Sequence, residues 1–385
     1  MIGKNTHVFV VDETTFKYHL EYMFAGTGSK DATIDFNGKV KSKLHYSQEN
    51  SLVAMMADGM RIRKGDYVIF YLQASRKHEG KFYGVFETID NGIFLDNNDK
   101  KQYLRKELEK SLTFRTLIRP IENCVYAQGV TEWEALDDIS NISTPSGMIW
   151  SLIYRKLKGN RGNTMITLYE CSHLTDLIAK VNNRNHLVIK KNHGLTYNEE
   201  SRCIEVTDKI NTYRGRKESI NILPRLINKF NRNQAYEVFL QMYITQNIGL
   251  GTNKTLDKVF DTKEMKIEWI GNEVPCGVGM QRIDILLASK SKTDNIVRPI
   301  ELKAVEAHIA NIRQIKRYMN WLEQYYNPNL RSAIQPVLLC KKGRPLSTEL
   351  KDEIKALNYE YKSLPLMYIE HYVEKNDIIF ERVEY

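Results

Sequence analysis

The order of apolar and polar positions gives the chain two stretches of different rhythm. In the first, short runs dominate. Residues 7–11, His-Val-Phe-Val-Val, predict a strand, with a short helix over residues 16–24 and a loop rich in Gly, Ser and Asp over 26–38. Gly65-Asp66 is a turn pair opening the apolar strand 67–72, and residues 81–87 return as its hairpin partner. Further strands are predicted at 114–118 and 165–169. Helices are expected to be short and few here, within a small curled sheet or open barrel.

From Lys180 to Asn221 the sequence turns polar, and residues 211–218 form the best linker candidate, with some strand character at Leu187, Val188 and Ile189. Beyond it the period changes. Residues 235–244 predict a largely buried helix, followed by strands at 266–270, 283–288 and 297–302. Ile312, Ile315, Met319, Leu322 and Tyr326 make one stripe at helical spacing, so a long amphipathic helix is expected over 305–326. A strand at 336–340, a helix at 348–357 and a hairpin over 366–383 close the pattern. Strands and helices in this order indicate an α/β sandwich with a mixed sheet. The expected division is a domain over 1–175, a connecting region over 176–225, and a second domain over 226–385.

Composition adds limits. The chain has 385 residues, 42% hydrophobic and 27% charged, enough for two cores. No apolar run approaches the roughly 20 residues needed to span a bilayer. The start leads into a strand rather than a signal peptide, so a soluble, cytoplasmic protein with no membrane partner is expected. The 56 Lys and Arg against 47 Asp and Glu leave +9, which suits either a polyanionic partner or a mildly basic enzyme. Five single cysteines, without a CxxC pair, support neither a disulfide framework nor a zinc site. Gly249-Leu250-Gly251-Thr252-Asn253-Lys254-Thr255 departs from a phosphate loop by carrying Asn253 before the lysine, so no NTP chemistry is expected.

The candidate chemistry lies in the second stretch. Asp284 sits within the apolar strand Ile283-Asp284-Ile285-Leu286-Leu287, and Glu301 and Lys303 lie two apart in Pro299-Ile300-Glu301-Leu302-Lys303. Alternation puts Glu301 and Lys303 on one strand face, and Asp284 can share it if the two strands pair. Two carboxylates with the backbone carbonyl of Leu302 would suit a hard cation such as Mg²⁺. Lys303 would then orient a water or stabilise developing charge on a phosphate.

This constellation resembles the PD-(D/E)XK nuclease superfamily, in the form whose first motif is reduced to its acid, over roughly residues 227–385. The resemblance implies Asp284 and Glu301 as metal-binding acids and Lys303 as the motif lysine. It also implies a further active-site acid at Glu237 in the helix before the sheet. Gln314 and Tyr318, four apart on the helix after Lys303, look like the QxxxY motif of RecB-like and mismatch-endonuclease branches. Glu273 is read as a loop charge rather than a further ligand.

In the first stretch, Arg63-Lys64-Gly65-Asp66-Tyr67-Val68-Ile69-Phe70-Tyr71 and Gly80-Lys81-Phe82-Tyr83-Gly84-Val85-Phe86 resemble PUA-like domains of the EVE and YTH kind. Such β-barrels hold an unstacked base between aromatic side chains. Trp133 and Trp150 are the expected pocket walls, with Tyr22, Phe24 and Tyr71 behind them. Arg155, Lys156, Lys158 and Arg161 form a cationic cluster suited to phosphates. The fold expected is therefore a PUA-like barrel followed by a PD-(D/E)XK sandwich. The function implied is an Mg²⁺-dependent endonuclease on double-stranded DNA, a homodimer directed by a flipped modified base such as 5-methylcytosine. A sequence-specific or mismatch-specific endonuclease, and a non-catalytic nucleic-acid-binding protein, are the alternatives.

Overall fold

The computed structural model describes residues 4–28, 46–76, 78–137, 162–276, 281–326, 333–361 and 363–385. Two compact units cluster within it: one of Met1–Asp35, Asp58–Ser143 and Gly147–Ile220, the other of Phe36–Ala57, Thr144–Ser146 and Asn221–Tyr385.

Along the chain the first unit's elements are β1 (Thr6–Val11), α1 (Glu13–Glu21), β2 (Phe24–Thr27), β3 (Tyr67–Leu72) and β4 (Lys81–Thr88), with α2 (Tyr46–Met60) between β2 and β3 belonging to the second unit up to Ala57. They continue with β5 (Phe94–Leu95), α3 (Arg105–Leu108), β6 (Phe114–Pro120), β7 (Val130–Thr131), α4 (Glu132–Asp137), β8 (Asn163–Ile166), α5 (Leu168–Val181), β9 (Gly194–Asn198) and β10 (Cys203–Thr207). The curled mixed sheet has the order β2-β6-β4-β3-β1-β8, with β5 on β6 and β7 on β4; only β1 and β3 pair in parallel. Asp12 starts α1 as a capping residue, accepting from Thr15 N at 2.8 Å.

Three expectations change here. Helices are longer than the pattern suggests: α2 has 15 residues and α5 has 14. Thr167 and Glu170 cap α5 reciprocally, which ends β8 at Ile166. The polar region 176–225 is folded rather than a loose connector: it holds the end of α5 and the β9–β10 hairpin, and it clusters with the first unit up to Ile220. Its most polar part is pinned by Arg216, whose guanidinium donates to Asp96 Oδ1 at 3.1 Å and Asp99 Oδ2 at 2.9 Å. Leu187 to Ile189 form no strand.

The second unit runs α6 (Leu223–Asn231), α7 (Glu237–Asn247), α8 (Lys254–Val259), β11 (Lys266–Pro275), β12 (Arg282–Lys290), β13 (Asn295–Leu302) and α9 (Ile309–Trp321), which continues as a π-helical turn over Leu322–Tyr326. Then follow β14 (Ala333–Ile334), β15 (Val337–Lys341), α10 (Thr348–Glu360), β16 (Met367–Glu374) and β17 (Asp377–Arg382). The sheet order is β11-β12-β13-β15-β16-β17, with β14 beside β13. β11, β12 and β13 form an antiparallel meander, whereas β13, β15 and β16 are parallel. Parallel neighbours need a crossover, and α9 and α10 provide them. The protein is thus mixed α/β with mixed sheets.

The phosphate-loop-like segment is a turn held by its own helix. Gly249 N–H and Gly251 N–H donate to the Asp257 carboxylate at 2.6 and 2.8 Å, and Asn253 caps α8. Among the described residues no helix is long and apolar enough to cross a membrane.

Candidate active site

β12 and β13 pair antiparallel up to Ile285 opposite Ile300, and Asp284 and Glu301 are the next residues on the two strands. Opposed residues of an antiparallel pair lie on the same face. Glu301 is fully buried, while Asp284 and Lys303 are part-buried. Lys303 Nζ stands 2.5 Å from Glu301 Oε1. Asp284 Oδ2 accepts the N–H of Leu302 at 2.8 Å. In an extended strand a residue's N–H and C=O leave on the same side, so the Leu302 carbonyl is directed towards the Asp284 side of β13.

Helix α9 closes the other side of Glu301. The Tyr318 hydroxyl lies 2.6 Å from Glu301 Oε2 and 2.8 Å from the Arg282 carbonyl, and Gln314 Nε2 donates to the Tyr318 oxygen at 2.7 Å. A phenol has one hydrogen to give, and an ionised Glu301 is the stronger acceptor. Oε2 is therefore occupied by protein, and Oε1 is the oxygen presented beside Lys303.

Helix α7 approaches from the meander side. Gln241, buried, donates from Nε2 to the Asp284 carbonyl at 2.5 Å. Glu237, one turn earlier and exposed, accepts the N–H of Ala304 at 3.2 Å. Gln241 was not anticipated from sequence, although its place four residues after Glu237 puts it on the same helical face.

Burial raises the pKa of Asp284 well above its ordinary value, and the neighbouring Glu301 charge adds to the rise. Burial also raises Glu301, against the opposing pull of Lys303 and Tyr318. For Lys303, burial favours the neutral amine, but Glu301, Glu237 and Asp284 outweigh it and keep the ammonium. Such a set calls for an additional positive charge, since one lysine faces three carboxylates.

Among the described residues no three His, Cys, Asp or Glu side chains form a group able to hold a metal ion by themselves. The donors at the carboxylate site nevertheless fit Mg²⁺, which takes one or two carboxylates and fills its octahedron with water and substrate oxygens. Glu301 Oε1 is the carboxylate oxygen on this side: it is buried, and its partner among the described residues is the Lys303 ammonium at 2.5 Å. Glu273 lies in β11, not in a loop, and is neutralised by Arg282 at 2.6 Å.

Among the described residues, the expected wall residues of a base pocket in the first unit fall in different places. Phe24 is fully buried in one cluster, with Tyr22 packed against that cluster, and Tyr71 is buried in another, its hydroxyl donating to Glu132 Oε2 at 2.8 Å. Trp133 is 57% exposed on α4. Trp150, Arg155, Lys156, Lys158 and Arg161 lie outside the described residues. The same unit contains a cavity of about 620 Å³ whose lining includes Val10, Thr27, Arg105, Glu109, Lys110 and Leu112, and none of the described aromatics expected in the pocket.

Compared with known proteins, the chain matches no family model, no curated protein and no solved structure.

Proposed function

We propose that the protein is an Mg²⁺-dependent DNA endonuclease whose second unit is a PD-(D/E)XK nuclease domain. One observation carries the reading. Two carboxylates, each next to the last paired residue of neighbouring strands, meet a lysine two residues beyond the second acid, 2.5 Å from it. The mixed sheet and the Gln314–Tyr318 pair on Glu301 add support.

Asp284, Glu301 and the Leu302 carbonyl would hold the cation. When bound, Mg²⁺ would supply Lewis acidity at the scissile phosphate and make a water acidic enough to attack at neutral pH. Tyr318 fixes Glu301 through Oε2 and leaves Oε1 facing the reacting groups. Leu302 N–H and Gln241 fix Asp284 through its carboxylate and its backbone. Lys303 holds its proton at Nζ, where it orients a water or stabilises charge developing on the phosphate.

The reading extends to the first unit as a PUA-like reader of a modified base, on the strength of its resemblance to EVE and YTH domains. Of the expected wall residues that are described, Trp133 is the exposed aromatic, whereas Phe24 and Tyr71 belong to cores. Two-strand cleavage by one site per chain calls for a homodimer or successive nicks.

Incubating the full chain with Mg²⁺ and matched methylated and unmethylated plasmids tests both parts. Cutting of the methylated plasmid alone is expected. Equal cutting of both removes the modification dependence, and no cutting of any DNA overturns the nuclease. Asp284→Ala and Glu301→Ala should abolish cleavage while sparing DNA binding.

A further inference from the structure

The carboxylate site has a charge problem that its own lysine does not solve. Asp284, Glu301 and Glu237 converge there against Lys303, whose ammonium is already taken by Glu301. A polyanion approaching this edge meets net negative charge. Some cation beside the acids must hold the phosphates.

Most nearby cations are committed. Arg282 is paired with Glu273 at 2.6 Å, and Lys316 with Glu360 at 2.6 Å. Arg317 differs. It is exposed, precedes the Tyr318 that holds Glu301, and makes no ion pair with a carboxylate among the described residues. Its Nε donates to Gln281 Oε1 at 3.1 Å. The backbone of Gln281 is held, because its main-chain carbonyl accepts the N–H of Cys276 at 2.9 Å. Arg317 is thus held at Nε by a neutral amide beside the start of β12, and among the described residues Nη1 and Nη2 make no hydrogen bond. Arg313, one helical turn earlier and also exposed, has no carboxylate partner among the described residues either.

The geometry points to Arg317 as the phosphate grip of the carboxylate site, with Arg313 continuing the contact along the backbone of the same DNA strand. This rests on the nuclease reading above. A planar guanidinium fork matches two phosphate oxygens, and holding it by Nε reduces the side-chain freedom lost on binding. The contact is to backbone, so it adds affinity and position but no sequence preference.

The test reads binding and cutting separately. Duplex affinity of the full chain carrying Asp284→Asn is measured across a range of salt concentrations, with and without Arg317→Ala. The substitution should weaken binding on the order of tenfold at low salt. It should also lower the slope of log affinity against log salt by about 0.9, and by about twice that when Arg313→Ala is added. Arg317→Lys should restore the slope but only part of the affinity. Lys316→Ala, which removes an exposed cation already paired, should leave the slope unchanged, and thermal stability should not move in Arg317→Ala. An unchanged slope in Arg317→Ala, or an equal loss in Lys316→Ala, overturns the grip. Cleavage by the otherwise wild-type chain is scored independently. An Arg317-dependent slope without any cleavage would retain the grip and remove the nuclease, whereas salt-resistant cleavage in Arg317→Ala would do the reverse.

Discussion

Asp284 and Glu301 lie close together where burial favours their protonated forms, so the metal-free protein bears an electrostatic cost at neutral pH. The sign follows from linkage. Both acids have folded pKa values above their unfolded ones, so the native state binds protons more tightly. Stability from this source grows as pH falls through the folded values towards the ordinary carboxylate range, and it is lost as pH rises through them. Asp284→Asn should therefore raise the metal-free melting temperature at pH 7, by roughly 2–4 °C if about 1 kcal/mol is relieved. The gain should shrink near pH 4, and Mg²⁺ should stabilise the wild type but not the variant. A lower melting temperature in Asp284→Asn at pH 7 would contradict this account. Tyr318→Phe tests the other acid. It removes a hydrogen bond that favours ionised Glu301 and leaves Gln314 without its acceptor, at a cost of about 1–3 kcal/mol. Cleavage should then need more Mg²⁺ for half-maximal rate, and excess Mg²⁺ should recover part of it. A Mg²⁺ titration superimposable on wild type would exclude a role for the hydroxyl.

At the scale of elements, α7 holds the strands that carry the acids: Gln241 reaches Asp284 on β12, and Glu237 reaches Ala304 just beyond β13. Gln241→Leu keeps the volume but removes the buried donor to the Asp284 carbonyl, and it should cost about 1–3 kcal/mol of stability. Its cleavage rate should fall even at temperatures where the variant remains folded. Loss of stability with an unaltered rate would make Gln241 a structural residue only. The elements near the site are also those most legible in the sequence. Ile312, Ile315, Met319 and Leu322 are buried at the helical spacing that predicts α9, and the apolar runs around Asp284 and Glu301 are strands. Helices α2 and α5 were hidden by mixed composition, and α5 by a Thr167–Glu170 cap that its apolar lead-in obscured. Tyr71 and Phe24 look like pocket walls in one dimension. Their burial depends on which strands become neighbours, which local periodicity does not encode.

For the molecule as a whole, a cut at the apparent boundary near residue 220 does not isolate the second unit. That unit is discontinuous, because residues 46–57 of α2 cluster with it although they precede most of the first unit in sequence. The chemistry of the junction is visible within the unit itself. Glu49, buried in α2, accepts from Arg225 Nε at 2.6 Å and lies 3.6 Å from the ammonium of buried Lys229, both on α6. Removing Glu49 leaves two buried or half-buried cations without that counter-charge, and breaking such a buried pair costs roughly 3–5 kcal/mol. A fragment beginning at Asn221 should accordingly be less stable than the same unit in the full chain. Glu49→Ala in the full chain should reproduce the loss, whereas Glu49→Gln should recover part of it through its amide oxygen. Calorimetry on the three proteins separates the possibilities. If the fragment melts where the second unit melts in the full chain, the ion cluster does not stabilise the unit. If the fragment is weaker while Glu49→Ala is not, packing of α2 rather than its charge supports α6 and, through it, the helices that border the carboxylate site.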